Sequence, residues 1–323
     1  MEERTITYAE AINEAQRQSM RMDDNIIIFG ENVSSNWRVA TKGLKEEFGI
    51  ERVRDAPITE TSFIGAGVGA AIAGLRPIVE LMLVDFSLVA MDQILNQMAK
   101  TTYMTGGGVS IPMVLRNIYG AGGGNAATHS ESLYGLYSHM PGMKIVVPSM
   151  PYDAKGLLVQ AIDDPNPVVY FEHRLLYGTE GHVPEESYKI PFGVANLVRE
   201  GDDVTVVAVG KMVLEAMKAA DALRGEISVE VIDPRTIVPL DEERILNSIA
   251  KTGRLVVADE DYERCGFSAE VAAIAAEKGY HNLEAPVARV ANPNIPLPFN
   301  RSLERYVLPD ADKIIRSIRN IIK

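Results

Sequence analysis

One cysteine, Cys265, is all that the 323 residues contain. No intrachain disulfide can form, and a zinc site built on several thiolates is excluded. A lone thiol fits a reducing compartment, and this one is expected to be buried and inert. Positive charge is also scarce. Lys and Arg number 32 against 44 Asp and Glu, a net charge of -12, which argues against nucleic acid and anionic membranes as partners because both reward clustered cations. Long apolar runs are missing too: Arg76, Glu80 and Asp85 interrupt the most hydrophobic stretch before a bilayer could be spanned. The opening MEERTITYAEAINEAQ is acidic and amphipathic, unlike a secretory signal. A cytoplasmic protein is expected, with no membrane and no nucleic acid among its partners.

Several catalytic signatures are absent. Histidines 129, 139, 173, 182 and 281 show no HExxH spacing, no GxSxG elbow occurs, and there is no GxxxxGK[ST] phosphate loop. GAGVGA and GAGGGN each lack the strand, spacing and later acidic residue that a dinucleotide site requires. A transition-metal enzyme, a serine hydrolase and a nucleotide-binding enzyme are therefore disfavoured.

What is present is alternation. A helix through about Met22 capped by Thr5 or Thr7, the strand NIIIFG, a helix stopped by Gly49, a helix from Glu60, the strand RPIVELML and a helix from Ala90 to Tyr103 follow in turn. IPMVLRN, MKIVVPS and VVYFE read as further strands, GAGGGNAATHS as a flexible loop and the segment from Pro151 as a helix. Residues 177–192 lack either periodicity and read as a linker. Alternation then resumes with VTVVAVG, ISVEVID, RLVVADE and PVARVA separated by helices, the last helix starting at Asp310. Strands alternating with helices predict an α/β protein of two doubly wound domains, joined through the linker at 177–192.

Asp55 to Lys100 is the most unusual stretch. Glu60 opens a nearly uncharged run of small residues, and a carboxylate against apolar walls suffers desolvation unless a partner shares a hydrogen bond with it. Gly65 and Gly69, like Ala66 and Ala70, share helix faces that another helix can approach closely. Taken alone, Glu60 could simply favour a helix amino terminus, Met82 and Phe86 could be core, His129 could be a loop histidine, and AIDDPN could be an ordinary helix stop.

Together, PITETSFIGAGVGAAIAGLRPIVE, FSLVAMDQILNQMAK, ATHS with HMPGMKIVVPSMPYDAKGLL, AIDDPNPVVYFEHRLLYG and VEVIDPRTIVPLD resemble the beta subunit of the thiamine-diphosphate-dependent first component of 2-oxo acid dehydrogenase complexes. That family includes pyruvate, branched-chain 2-oxo acid and acetoin dehydrogenases. The resemblance implies a transketolase-like pyrimidine-binding domain at 1–188 and a transketolase-type C-terminal domain at 189–323. It implies that Glu60 hydrogen-bonds the cofactor's aminopyrimidine ring, favouring the imino form that activates the thiazolium carbon, with Met82 and Phe86 beside the ring. His129 is implied to handle protons at the reacting end and in transfer to the lipoyl group. A potassium ion is implied near Met113, Ala161, Ile162, Asp164 and Asn166.

No diphosphate-binding GDG segment is present. The resemblance therefore implies half a site, completed by an alpha subunit that holds the diphosphate and magnesium in an alpha2-beta2 heterotetramer, active only when assembled. The implied reaction is oxidative decarboxylation of pyruvate or a branched-chain 2-oxo acid, with reductive acylation of lipoyl-lysine on a dihydrolipoyl acyltransferase. Acetoin cleavage is the alternative. A non-catalytic scaffold is a third reading, against which the presence of Glu60, Phe86 and His129 argues.

Overall fold

The computed structural model describes residues 4–35 and 39–322. Two compact units emerge, one formed by Met1–Tyr119 with Tyr137–Phe192, the other by Gly120–Leu136 with Gly193–Lys323. The units are interleaved in sequence, a finer division than a single cut at 188/189.

In the first unit, strands Lys144–Val146, Val168–His173, Val114–Tyr119, Arg76–Leu83, Ile26–Gly30 and Val53–Asp55 lie in that order, every neighbouring pair parallel. All six residues of Val114–Tyr119 and of Val168–His173 are buried, as central strands of a parallel sheet must be. Helix Tyr8–Met22 starts in a capping box: Glu10 N donates to Thr7 Oγ1 at 3.2 Å, and Thr7 N donates to the Glu10 carboxylate at 2.8 Å. Its buried residues Tyr8, Ile12, Ala15 and Ser19 recur at helical spacing and face helix Pro151–Asp163. Helix Glu60–Ile72 packs against Arg76–Leu83 through Gly67, where a Cβ would come within 2.7 Å of Val79 and 2.9 Å of Met113. The small-residue run thus serves the interior at Gly67, while Ser62, Ala66 and Gly69 on another face are exposed.

Among the described residues the second unit holds a sheet whose strands run in the order Ala288–Asn292, Leu255–Tyr262, Val204–Ala208, Val229–Asp233 and Asn196–Arg199, parallel except for the last pair. Helices Lys211–Ala222, Glu242–Thr252, Phe267–Lys278 and Ala311–Ile321 alternate with them. The α/β expectation holds in both units. No helix among the described residues is long and apolar enough to cross a membrane.

Several local expectations are corrected. The helix expected over 90–103 follows a 3-10 segment, Val84–Ala90, and is itself composite, with a π-helical turn Gln93–Met98 and a short α-helix Ala99–Met104. Strand Asn196–Arg199 escaped the periodicity because all four residues are half-buried and none alternates. Cys265 is exposed. It sits at φ +58° in the turn before helix Phe267–Lys278, a chain reversal that carries its side chain outward. The glycine-rich loop after Tyr119 is tied down rather than flexible.

Candidate functional site

Glu60 is the first residue of its helix and only 8% exposed. It makes no hydrogen bond or ion pair to any described residue. The partial positive charge of the helix start favours a carboxylate there, yet burial without a hydrogen-bonding partner remains costly. Next to it in the chain, Thr61 Oγ1 donates to Val89 O at 2.9 Å and fastens the helix start to the 84–90 segment.

That segment follows a bulge. Glu80 pairs with Arg116 and Leu83 with Ile118, so Leu81 and Met82 together oppose Asn117 alone. Met82 takes φ +70°, a left-handed conformation costing about 1–3 kcal/mol for a residue with a side chain. Two contacts hold it: Met82 N donates to Glu80 Oε1 at 3.2 Å, and Asn32 Nδ2 approaches Met82 Sδ at 3.3 Å. Phe86 follows, half-buried, between the buried Asp85 and Ser87. Helix Glu60–Ile72 packs on both the bulged strand and the 84–90 segment, so the elements carrying Glu60, Met82 and Phe86 meet within one unit.

Behind the bulge lies a buried ionic cluster. Arg116 donates to both carboxylate oxygens of Glu172, at 2.6 and 2.9 Å, and lies 2.9 Å from Glu80 Oε2. It also donates to Gln16 Oε1 at 3.1 Å, and Tyr177 OH donates to Glu172 at 2.6 Å. Burial by itself would loosen the guanidinium proton, but Glu172 and Glu80 overcome that and hold Arg116 above its ordinary range. Sequence reasoning missed this cluster. Its signal was available: IVELM, VLRNIY and VVYFEH place Glu80, Arg116 and Glu172 inside strands that are otherwise largely apolar.

His129 lies elsewhere in the division, on the segment Gly120–Leu136 of the second unit. It is half-buried, its Nδ1 is 2.9 Å from Thr128 Oγ1, and its backbone N donates to Ala126 O at 3.2 Å. His173 is fully buried, accepts from Leu175 N at 3.1 Å and meets Tyr119 edge-on, a core histidine.

At the end of helix Pro151–Asp163, Arg76 Nη2 reaches Ile162 O at 2.8 Å and Asp164 O at 3.4 Å, and Lys144 Nζ pairs with Asp164 Oδ2. Asn166 N donates to Asp164 Oδ1 at 2.9 Å, Asp164 N to Ala161 O at 3.3 Å, and Val168 N to Met113 O at 2.9 Å. Ile162 O and Asp164 thus already face positive charge while Ala161 O and Met113 O accept backbone N–H groups, and each carbonyl retains a second lone pair. No cluster of three or more His, Cys, Asp or Glu side chains among the described residues could hold a metal.

Two families match the chain: the transketolase pyrimidine binding domain over residues 4–180 and the transketolase C-terminal domain over 193–314. The beta subunit of acetoin:2,6-dichlorophenolindophenol oxidoreductase from Bacillus subtilis is 48% identical, covering 97% of this chain and 96% of the relative. The beta subunit of the pyruvate dehydrogenase E1 component from Rickettsia bellii is 44% identical over 98% of each. Among solved structures, a split-gene transketolase described as an inactive beta4 tetramer superposes with a TM-score of 0.81 at 22% identity, covering 98% of both chains. That likeness concerns the fold.

Proposed function

The chain belongs to the family of beta subunits of pyruvate, branched-chain 2-oxo acid and acetoin dehydrogenase first components, and on that premise we propose that it forms one wall of a thiamine diphosphate site completed by an alpha subunit. The observation that carries the proposal is Glu60, a buried carboxylate with no partner among the described residues. A ring nitrogen offered by a bound aminopyrimidine would supply that partner. Bound there, thiamine diphosphate would contribute a thiazolium ring able to accept the electrons released when a carbon–carbon bond breaks.

This chain's residues then have definite tasks. Glu60 shares a proton with the ring nitrogen, and its low exposure strengthens that hydrogen bond. Met82 and Phe86 offer a polarizable thioether and an aromatic face to a flat heterocycle. His129 handles a proton at the reacting end and during acyl transfer to lipoyl-lysine on a dihydrolipoyl acyltransferase. The alpha subunit holds the diphosphate and magnesium in an alpha2-beta2 assembly, and the exposed small-residue face of helix Glu60–Ile72 suits close contact with it. We place the complex in the cytoplasm and the functional domain boundary at 188/189.

The main reading is oxidative decarboxylation of a 2-oxo acid. The 48% identity to an acetoin enzyme subunit favours acetoin cleavage as a second. Turnover of pyruvate, branched-chain 2-oxo acids and acetoin by the copurified alpha–beta complex decides between them, and activity with none of these, in a complex that binds no thiamine diphosphate, would instead support a scaffold.

His129→Ala is expected to reduce acyl transfer to a lipoyl domain by about 10²-fold, the scale of a lost proton-transfer group, and to affect decarboxylation read with an artificial oxidant less. Equal losses in the two assays would remove this division of labour. For potassium at Met113, Ala161, Ile162, Asp164 and Asn166, exchange into potassium-free sodium buffer is expected to lower the melting temperature by about 2–4 °C, the shift that ~1 kcal/mol produces in a domain of this size. An unchanged melting temperature would leave AIDDPN as a helix stop.

A further inference from the structure

The loop that carries His129 is built around buried carboxylates. Gly120, Gly122 and Gly124 take φ +93°, +99° and +68°, alternating with residues of ordinary conformation. This alternation turns successive backbone N–H groups toward one concave side and creates an anion nest. Here the anions come from the second unit itself. Ala121 N donates to Glu260 Oε1 at 2.7 Å, Gly122 N to Glu304 Oε1 at 3.0 Å, and Gly124 N to both Glu304 oxygens at 3.2 and 3.0 Å. Both glutamates are almost fully buried. The sequence GAGGGN therefore makes a cradle for two internal carboxylates and not for a phosphate.

The far end of the segment is gripped by the same strand. Tyr134 OH donates to Asp259 Oδ1, and Gly135 N donates to Asp261 Oδ2 at 3.0 Å. Side chains alternate along Leu255–Tyr262, so Asp259 and Asp261 hold residues 134–135 while Glu260 between them holds Ala121. Burial raises both aspartates above the ordinary carboxylate range, and Asp259 adds to the effect at Asp261. Gly120 N donates to Glu131 O at 3.1 Å and closes the loop. Ala121 anchors it from below in an apolar cluster with Leu297 and Leu308.

We propose that Glu304 and Glu260 are positioning residues for His129: they fix the shape of the 120–131 loop from its first turn, and the imidazole's placement depends on that shape. The inference rests on the reading of His129 as the proton-handling group. Its test uses the alpha–beta complex and two readouts, hydrogen exchange of the loop amides and acyl transfer to a lipoyl domain. Glu304→Ala is expected to speed loop exchange and to slow acyl transfer, each by about tenfold, as loss of charge-assisted hydrogen bonds implies. Glu304→Gln keeps one acceptor oxygen for Gly122 and Gly124 and should stay within about threefold of wild type on the same reasoning. Should Glu304→Ala fail to assemble, Gly124→Ala, strained by its positive φ, attacks the same nest and is expected to give the same pair of changes. Unchanged loop exchange overturns the clamp. Faster exchange with normal transfer overturns the positioning role. Normal transfer in His129→Ala removes the reading of His129 instead, with the exchange result still reporting on the clamp.

Discussion

Glu60→Gln is expected to abolish turnover in an alpha–beta complex that still assembles, a loss of about 10²–10⁴-fold or more, since proton-transfer groups contribute on that scale. The substitution preserves volume and one acceptor oxygen, but the amide cannot take up a proton from a ring nitrogen. The stability readout separates this role from a structural one. Glu60 has no hydrogen-bond or ion-pair partner among the described residues, so neutralising it removes a largely buried charge that only the helix start favours and should leave the melting temperature of the cofactor-free complex unchanged or raised. If the carboxylate served only the helix amino terminus, the variant would instead lose about 0.3–1 kcal/mol of favourable dipole interaction and keep its activity. Near-normal turnover with a lowered melting temperature would therefore sink the catalytic assignment. Thiamine diphosphate titration completes the test, because weakened binding should accompany lost turnover if the missing partner is the aminopyrimidine.

Much of the fold was legible because its signals are local. Pro151 at a helix start, glycines that stop helices and uninterrupted apolar strands such as Ile26–Gly30 each act within a few residues, and the α/β alternation follows from them. Glu60 was legible for a related reason: one carboxylate in an apolar, small-residue run stands out without any tertiary knowledge. What escaped depends on pairing across distance. Arg116, Glu80 and Glu172 each look anomalous in their own strands, but only the order of the parallel sheet makes them neighbours. The bulge at Met82 comes from a register shift between two strands, which no single strand records. The loop at 120–131 reads as flexible because glycine permits every conformation; its order comes from Glu304, 180 residues beyond Gly124. Cys265 was expected inside because thiols usually are, whereas its side chain follows a turn whose left-handed residue is not glycine.

Arg116→Met is the change expected to cost the most stability. The guanidinium is completely buried between Glu80 and Glu172, and removing one side of a buried ionic network leaves the other charges without compensation, typically a loss of about 3–5 kcal/mol. In a domain of this size that lowers the melting temperature by roughly 10 °C. The triple variant Glu80→Gln, Arg116→Met, Glu172→Gln removes all three charges and should recover most of the loss, because an uncharged buried cluster is often as stable as an ionic one. The function should follow a different course. Glu80 binds Arg116 with one oxygen and the strained Met82 N–H with the other, so its orientation links the ionic cluster to the wall proposed to face the pyrimidine. Arg116→Met should therefore raise the KM for thiamine diphosphate more than it lowers kcat at saturation. The triple variant should restore that KM in part, because the amide introduced by Glu80→Gln keeps an acceptor oxygen for the Met82 N–H. A single variant that melts like wild type would show that the cluster is not a buried ionic network. One that melts early yet keeps its cofactor KM would confine Arg116 to stability and detach Met82 from it.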